Sequence, residues 1–201
     1  MAGWLALGQF LAVALFLALV HRPLGDYMAH AYTSQKDLAA ERGVYRALGV
    51  APRSGQPWQS YLRSVLVFSA LGVLALYLLQ RLQPLLPASL GLPAVPEGLS
   101  FNTAVSFVTN TNWQSYSPEA TMGYAVQATG LAVQNFLSAA VGLCVAIALV
   151  RGFAGRGAVT IGNFWVDLTR SLTRILLPGA AVGAVVLLLG GIYSGVCTPT
   201  E

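Results

Sequence analysis

Four long apolar segments constrain the fold of this chain more than any other feature of its sequence. Each has about twenty residues and at most two strongly polar side chains, so as a helix each would span the hydrocarbon core of a bilayer, about 30 Å thick. We therefore predict an all-α membrane protein with four transmembrane helices. The four segments are Ala2–Val20, Tyr61–Leu79, Gly130–Val150 and Ile175–Ile192.

The composition agrees with a lipid environment and excludes two other classes of protein. Only 9% of the 201 residues are charged, against roughly a quarter in soluble domains, and 56% are hydrophobic. A soluble chain of this length could not cover so much apolar side chain with polar surface. Intrinsic disorder is excluded as well, because disordered chains are poor in apolar residues and rich in charge.

The basic residues are arranged in blocks between the apolar segments. Six of the eleven lie in residues 21–63, four lie in residues 151–174, and the remaining one is Arg81. Cytoplasmic loops of membrane proteins carry an excess of Lys and Arg, so we predict that both blocks are cytoplasmic and that residues 80–121 and the N-terminus lie outside. The net charge of +4 does not indicate nucleic-acid binding, because the basic residues are not interleaved with aromatic ones.

A cleaved signal peptide is the alternative for the first apolar segment. Ala29-His30-Ala31 offers a cleavage site of small residues. However, a signal peptide carries basic residues before its apolar stretch, whereas here none precedes it and Arg22 follows it at once. The order of charges favours a retained transmembrane helix.

A shorter apolar segment lies between the second and third long ones. Leu99–Val108 would reach about 15 Å as a helix, half of the membrane, and Ser100 is its predicted N-cap. The residues that follow, Thr109–Tyr116, are uncharged and rich in hydroxyl and amide groups. A half-helix followed by a polar return is typical of a re-entrant pore loop. The alternative is an external turn with Trp113 and Tyr116 at the membrane interface, and the composition does not separate the two.

In the pore-loop interpretation, the polar return favours a monovalent cation. A half-helix that enters from outside directs the negative end of its dipole toward Thr109 and the residues after it, where backbone carbonyls can replace the water shell of an ion. Turning consecutive carbonyls to one side requires positive φ at some residues, which Asn110 and Asn112 tolerate better than most. No Asp or Glu lies between Ser100 and Pro118 to hold a divalent ion, so potassium is the predicted guest.

Further expectations concern the second half of the chain. The third helix is expected to begin before Gly130, because no proline closely precedes it, and Pro178 is expected in the first turn of the fourth helix. Asp167, Arg170 and Arg174 are spaced to share one helix face and are interpreted as a solvated cytoplasmic edge. No nucleophile stands beside a base, so no catalytic site is predicted.

The region around the short apolar segment resembles a known family. Residues 101–116, FNTAVSFVTNTNWQSY, are similar to the first selectivity-filter region of KdpA, the family of potassium-binding subunits of bacterial Kdp potassium-transporting ATPases. The central motif is long and specific, so chance is a poor explanation. Four other stretches agree with the family in the same order, RPLG at 22–25, YRALGV at 45–50, GLAVQNFLSAA at 130–140 and GNFWVDL at 162–168.

The resemblance implies a channel-like transporter with one extra N-terminal helix followed by four membrane-pore-membrane repeats. Residues 1–21 would be the extra helix, 22–60 a cytoplasmic loop, 61–150 the first repeat and 151–201 the start of a second. Backbone carbonyls of one segment would form a quarter of the potassium filter, and Gln114 just beyond it would influence affinity. The filter residues implied in this way are Thr109, Asn110, Thr111 and Asn112.

The same resemblance implies a location and partners. The family subunit is non-catalytic and lies in the bacterial inner (plasma) membrane, while a KdpB-like P-type ATPase subunit hydrolyses ATP. A KdpC-like single-span subunit and a small KdpF-like accessory peptide complete the complex. Potassium is the transported ion, and no organic cofactor is implied.

The sequence departs from the family pattern in its length. It ends at Glu201, where a complete subunit would continue through three more pore loops, and residues 195–201 do not resemble the family. We therefore expect a truncated copy, produced by a premature stop, a frameshift or a deliberate fragment, that does not transport by itself. The alternative function is a small helical membrane protein that acts in interaction or assembly without transport.

Overall fold

All the regular secondary structure is helical in the residues that the computed structural model describes, which are 2–155 and 159–193. This confirms the predicted all-α class. Two π-helical segments, Val126–Ala132 and Ser171–Leu176, lead into α6 and join α7 to α8, and a 3-10 turn, Gln83–Leu85, follows α3. The helices are α1 (Ala2–Thr33), α2 (Ala39–Ala47), α3 (Trp58–Arg81), α4 (Glu97–Val108), α5 (Pro118–Thr121), α6 (Val133–Ala154), α7 (Phe164–Arg170) and α8 (Leu177–Tyr193).

Four helical stretches in the described chain are long and apolar enough to cross a membrane, as predicted. Each contains one of the four apolar segments, apart from the first four residues of the first segment and the last residue of the fourth. Residues 6–19 of α1 are all exposed, which suits a surface that faces lipid or other protein. The four stretches are Ala6–Thr33, Trp58–Arg81, Val126–Ala154 and Phe164–Gly191.

The first helix is longer than its apolar segment predicted. It continues past Val20 to Thr33, and Pro23 lies within it without ending it. The predicted loop 22–60 therefore contains the end of α1 as well as α2. A tertiary contact stabilises the extension, because Tyr32 is buried and its hydroxyl shares a hydrogen bond of 2.7 Å with Ser171 Oγ.

The third apolar helix begins before Gly130, as expected, with the π-helical segment that starts at Val126. Gly130 lies where this segment approaches α3 closely. A Cβ on that glycine would be 2.6 Å from Leu79 Cδ2, so a larger residue would force the helices apart.

Pro178 is the second residue of α8, but it does not lie in the first turn of the fourth apolar helix, contrary to expectation. That helix runs without a break from Phe164 through the π-helical segment into α8, so Pro178 lies in its interior and cannot donate a hydrogen bond to the carbonyl of Arg174. The Tyr27 hydroxyl of α1 donates to that same carbonyl. A side chain from a distant helix thus satisfies the acceptor that the proline leaves open.

Two buried clusters hold the helices together. The first packs α4 against α3 and the start of the third apolar helix, and the second packs α7 against α3 and α6. Phe164 is central to the second cluster, with its ring centroid 5.7 Å from that of Tyr61 and 5.1 Å from that of Trp165. Residues of the first cluster are Leu76, Val95, Ala104, Phe107, Val108, Met122, Val126 and Leu131.

Asp167, Arg170 and Arg174 do not form a solvated edge, contrary to the prediction. Asp167 is only 2% exposed and Arg170 only 5%. The spacing correctly placed the three on one side of a helix, but it could not show that the segment between α1 and α3 and the end of α6 cover that side. The ionic partners are Arg151 for Asp167 (2.6 Å), Asp37 for Arg170 (3.0 Å) and Glu41 for Arg174 (2.6 Å).

The Arg151–Asp167 pair depends on a glycine and a tyrosine. Tyr61 donates its hydroxyl to Asp167 Oδ2 at 3.1 Å, which supplies a second partner for the buried carboxylate. Gly162 has φ +112°, and a Cβ there would lie 2.0 Å from Arg151 Nη1. Only glycine fits this position without displacing the arginine.

Glu41 fastens α2 to the fourth apolar helix. Its side chain is 0% exposed and accepts hydrogen bonds from Arg174 Nε (2.6 Å), Thr173 Oγ1 (3.0 Å) and the Leu38 amide (2.8 Å). Burial raises the pKa of this carboxyl, but the hydrogen bonds outweigh burial and lower the pKa below its ordinary value of 4.5.

We predict that Glu41→Gln lowers the free energy of unfolding by about 2–3 kcal/mol, because a buried charged acceptor is lost while Arg174 stays in place. The thermal midpoint of the purified chain in detergent measures this loss. The control is Glu97→Gln, which removes a carboxylate that is 77% exposed and 3.4 Å from Arg81. Exposed pairs contribute about 0–1 kcal/mol, so equal losses in the two variants would contradict the assignment.

The same measurement has a defined pH dependence. A carboxyl with a lowered pKa in the folded state stabilises it above its unfolded pKa, and the stabilisation is lost as the pH falls through the folded pKa. The difference between the wild type and Glu41→Gln should therefore be full near neutral pH and disappear below 4.5.

Candidate functional site

The start of half-helix α4 is fastened to the C-terminal end of α3. The Val95 amide donates to the Gln80 carbonyl at 3.3 Å, and Arg81 Nη1 donates to the Val95 carbonyl at 2.6 Å. Gln80 is fully buried, and its Nε2 donates to the Ser100 carbonyl at 3.2 Å. The first turn of α4 therefore lies level with the end of α3.

The prediction that Ser100 is the N-cap is wrong. The helix begins at Glu97, directly after Pro96, which has φ −53° and ψ 146°. The Ser100 hydroxyl donates to the Val95 carbonyl at 3.1 Å instead of accepting from a backbone amide. The predicted start at Leu99 is thus two residues late, because the proline and not the serine marks the boundary.

The C-terminal end of α4 lies beside the middle of two long apolar helices. A Cβ on Gly72, near the middle of α3, would be 3.2 Å from Val108 Cγ2. Ser138, near the middle of the helix that runs from Val126 to Ala154, donates its hydroxyl to Asn110 Oδ1 at 3.3 Å. Half-helix α4 therefore extends from the end of α3 to about half of its length.

The chain leaves α4 through a regular helix-ending motif. The Thr111 amide donates to the Ser106 carbonyl at 3.0 Å, and the Asn110 amide donates to the Phe107 carbonyl at 3.3 Å. Asn110 has φ +58°, the left-handed conformation that this Schellman arrangement requires of the residue after the cap. Ending a helix is thus a sufficient structural reason for positive φ at Asn110.

Asn112 also has positive φ, at +52°, and the helix ending does not require this. Thr109 has φ −82°, and Thr111 is not among the positive-φ residues of the described chain, so the sign alternates along the segment. The expectation that both asparagines adopt positive φ is confirmed. Alternation of this kind turns successive carbonyls toward one side, whereas an extended strand points them alternately in opposite directions.

The hydrogen-bond donors of this segment are used internally, while its carbonyls are not. Thr109 Oγ1 donates to the Val105 carbonyl at 2.8 Å, and Thr111 Oγ1 donates to the Ser106 carbonyl at 3.0 Å. Within the described part of the chain, no donor is directed at the backbone carbonyl of any residue from Thr109 to Asn112. The segment therefore presents four consecutive neutral oxygens without a protein partner.

The four residues and Gln114 are exposed in this chain. The free carbonyls can therefore reach an ion or another protein segment. In residues 2–155 and 159–193, no three His, Cys, Asp or Glu side chains lie close enough together to hold a metal ion. The oxygens that this candidate site offers are the neutral backbone carbonyls of Thr109–Asn112. Neutral carbonyl oxygens suit a monovalent cation better than a hard divalent one.

A buried glutamine that sequence analysis did not single out holds the loops around α4. Gln83 is fully buried, and its Nε2 donates to the carbonyls of Pro93 (2.7 Å) and Thr121 (3.1 Å). Its Oε1 accepts from the Gly123 amide at 2.9 Å. The available signal was an amide side chain four residues after an apolar segment, which alone does not distinguish a buried residue that joins two loops from a residue at the membrane interface.

Comparison with known families matches residues 11–200 to the family described as "KdpA: Potassium-transporting ATPase A subunit". The match includes residues 195–200, so the expectation that this part of the sequence does not resemble the family is wrong. Three relatives carry the name "Potassium-transporting ATPase potassium-binding subunit". That of Clavibacter michiganensis is 67% identical over 92% of this chain and 33% of its own length. That of Cutibacterium acnes is 61% identical over 90% and 32%, and that of Streptomyces coelicolor is 54% identical over 94% and 34%. The chain thus spans about a third of the length of these relatives.

We predict that Gly72→Leu destabilises the fold by about 1–3 kcal/mol, because its side chain would collide with Val108 at the end of α4. The control is Gly142→Leu in α6, where a Cβ would meet nothing within 4 Å. Thermal unfolding in detergent compares the two variants. A Gly72→Leu midpoint equal to that of Gly142→Leu would mean that α4 does not end against α3.

Proposed function

Because the chain belongs to the family of potassium-transporting ATPase A subunits, we propose that it forms the first part of a potassium-binding membrane subunit. Thr109–Asn112 contributes one wall of the ion filter. Potassium is the transported ion, and the backbone carbonyls of these four residues replace part of its water shell. Gln114, just beyond them, influences affinity.

One observation supports this function above the others, namely the four consecutive carbonyls without a hydrogen-bond donor at the end of half-helix α4. Lipid offers no hydrogen-bond donors. Non-helical backbone at membrane depth therefore has to be surrounded by protein or to line a water-filled path. The negative end of the α4 dipole adds about half an elementary charge close to these oxygens. Together these features favour a cation that sheds its water.

The depth of the segment supports a re-entrant loop over an external turn. The end of α4 contacts Gly72 and Ser138, which lie near the middle of two helices able to cross a membrane. An external turn would instead contact the ends of those helices.

The proposed function divides the chain into four parts. Residues 61–150 form one membrane-pore-membrane repeat, and residues 1–21 form the membrane part of an extra first helix. Residues 22–60 form a cytoplasmic region, and residues 151–201 form the start of a second repeat.

The charge distribution supports an orientation. Arg53, Arg151, Arg170 and Arg174 gather at the end of the bundle opposite to the start of α4. By the positive-inside rule this end is cytoplasmic, so the half-helix enters from outside and the N-terminus lies outside. In the proposed setting, the membrane is the bacterial inner membrane.

The proposal requires further protein. Four carbonyls that face one way cannot surround an ion, so other segments must complete the filter. The chain is non-catalytic in the proposed complex, and a KdpB-like P-type ATPase subunit consumes ATP. A KdpC-like single-span subunit and a KdpF-like peptide are the other partners.

We predict that Asn112→Asp lowers the preference for K⁺ over Na⁺ by at least about tenfold, because a carboxylate favours a smaller, harder cation. The test uses the full-length Clavibacter michiganensis relative with its matching N-terminal third replaced by residues 2–193 of this chain, produced with its partner subunits. Competition of K⁺ and Na⁺ with radioactive rubidium uptake measures the preference. Gln9→Leu, in the exposed part of α1, is the control, and equal effects of the two variants would contradict the filter assignment.

We predict that the 201-residue chain alone gives no rubidium uptake above background in cells without another potassium transporter. The exposed carbonyls of Thr109–Asn112 would have no opposing oxygens. Membrane insertion is checked in the same cells, so that absence of the protein is not mistaken for inactivity. Uptake by the inserted chain would show that no further segment is needed.

A further inference from the structure

Two fully buried serines lie on half-helix α4, and their hydroxyls bond to different ends of the loop system. Ser100 Oγ donates to the Val95 carbonyl, before the helix, at 3.1 Å. Ser106 Oγ donates to the Trp113 carbonyl, after the candidate filter segment, at 3.0 Å. We propose that Ser106 is a positioning residue that sets the conformation of the Thr109–Asn112 carbonyls, an inference that rests on the proposed function.

The backbone carbonyl of Ser106 is the main acceptor for the segment. It accepts the amides of Thr111 (3.0 Å) and Asn112 (3.3 Å) and the hydroxyls of Thr111 (3.0 Å) and Thr109 (3.3 Å). These bonds direct the donors of the return segment toward the helix. The carbonyls are consequently left without internal partners on the other side.

The Ser106 hydroxyl determines where this run of free carbonyls ends. Trp113 follows Asn112 directly, and its carbonyl is occupied by the serine hydroxyl. Ser106 thus makes a hydrogen bond on each side of the Asn112 carbonyl. Its backbone carbonyl accepts the Asn112 amide, and its hydroxyl donates to the Trp113 carbonyl. Asn112 is held between these two bonds.

The two hydrogen bonds of Ser106 can hold Asn112 in its left-handed conformation, and such support is needed because positive φ is unfavourable for a residue other than glycine. The left-handed conformation costs of the order of 1 kcal/mol, and outside a helix ending it persists only where the surroundings enforce it. If the bond to Trp113 is lost, Asn112 can relax toward negative φ, and the peptide between Asn112 and Trp113 rotates. That rotation turns the Asn112 carbonyl away from its neighbours and removes one oxygen from the ion site.

The test compares Ser106→Ala with Ser100→Ala in the full-length chimera described above, assembled with its partner subunits. Both variants remove one buried serine-to-carbonyl hydrogen bond from the same helix, so both should lower the thermal midpoint of the complex to a similar degree. Only Ser106→Ala should lower the preference for K⁺ over Na⁺ in rubidium competition, by about tenfold, whereas Ser100→Ala should stay within about twofold of the wild type. An unchanged preference in Ser106→Ala, or an equal change in both variants, would overturn the inference.

Two further measurements keep the result interpretable. If Ser106→Ala does not assemble, Ser106→Cys replaces it, because the thiol keeps a donor at the same side-chain position but is a weaker one. The preference of that variant should lie below the wild type, and a wild-type value would also overturn the inference. Asn112→Asp distinguishes an error about Ser106 from an error about the filter. If it changes the preference while Ser106→Ala does not, only the role of Ser106 is wrong, and if neither changes it, the filter assignment itself is wrong.

Discussion

Every buried backbone carbonyl needs a hydrogen-bond donor or an ion, and the rest of this structure depends on how that requirement is met where α4 ends between two apolar helices. Half-helix α4 ends beside Gly72 and Ser138, in the middle of two apolar helices. The return segment directs its own donors to the Ser106 carbonyl, so Thr109–Asn112 must find an outside partner for its oxygens. In the proposed function, a potassium ion is that partner.

At the opposite end of the bundle, buried arginines are paired with carboxylates. Arg151, Arg170 and Arg174 extend into partly or fully buried positions, and each contacts a carboxylate. A buried charge without a partner would cost several kcal/mol. The Arg170–Asp37 and Arg174–Glu41 pairs therefore keep the segment between α1 and α3 docked on the last apolar helix, and the Arg151–Asp167 pair joins that helix to the end of α6. The helices that support α4 are thereby held at one end by ion pairs and at the other by the amide side chains of Gln80 and Gln83.

The features that could be predicted from sequence are those that depend on local chemistry. Length and hydropathy predicted the four long helices, and the short apolar segment predicted a helix that ends at Val108. The tolerance of asparagine for left-handed backbone predicted positive φ at Asn110 and Asn112. The wrong predictions concern residues whose environment is set by contacts with distant parts of the chain. Pro178 is tolerated inside a helix because Tyr27 serves the carbonyl that it leaves open, and Asp167 is buried because Arg151 reaches it.

The sequence by itself determined that the chain is a helical membrane protein, which parts of it are long enough to cross, and which uncharged segment follows the half-helix. These properties follow from side-chain hydropathy and intrinsic backbone preference, which act over a few residues. Only the tertiary structure decided that α4 ends at mid-height, that Ser106 and Ser138 hold the return segment, and that the arginines face buried carboxylates. Most of these contacts join residues far apart in sequence, and even the Ser106–Trp113 hydrogen bond depends on how the chain returns after α4. No local pattern therefore identifies the partner.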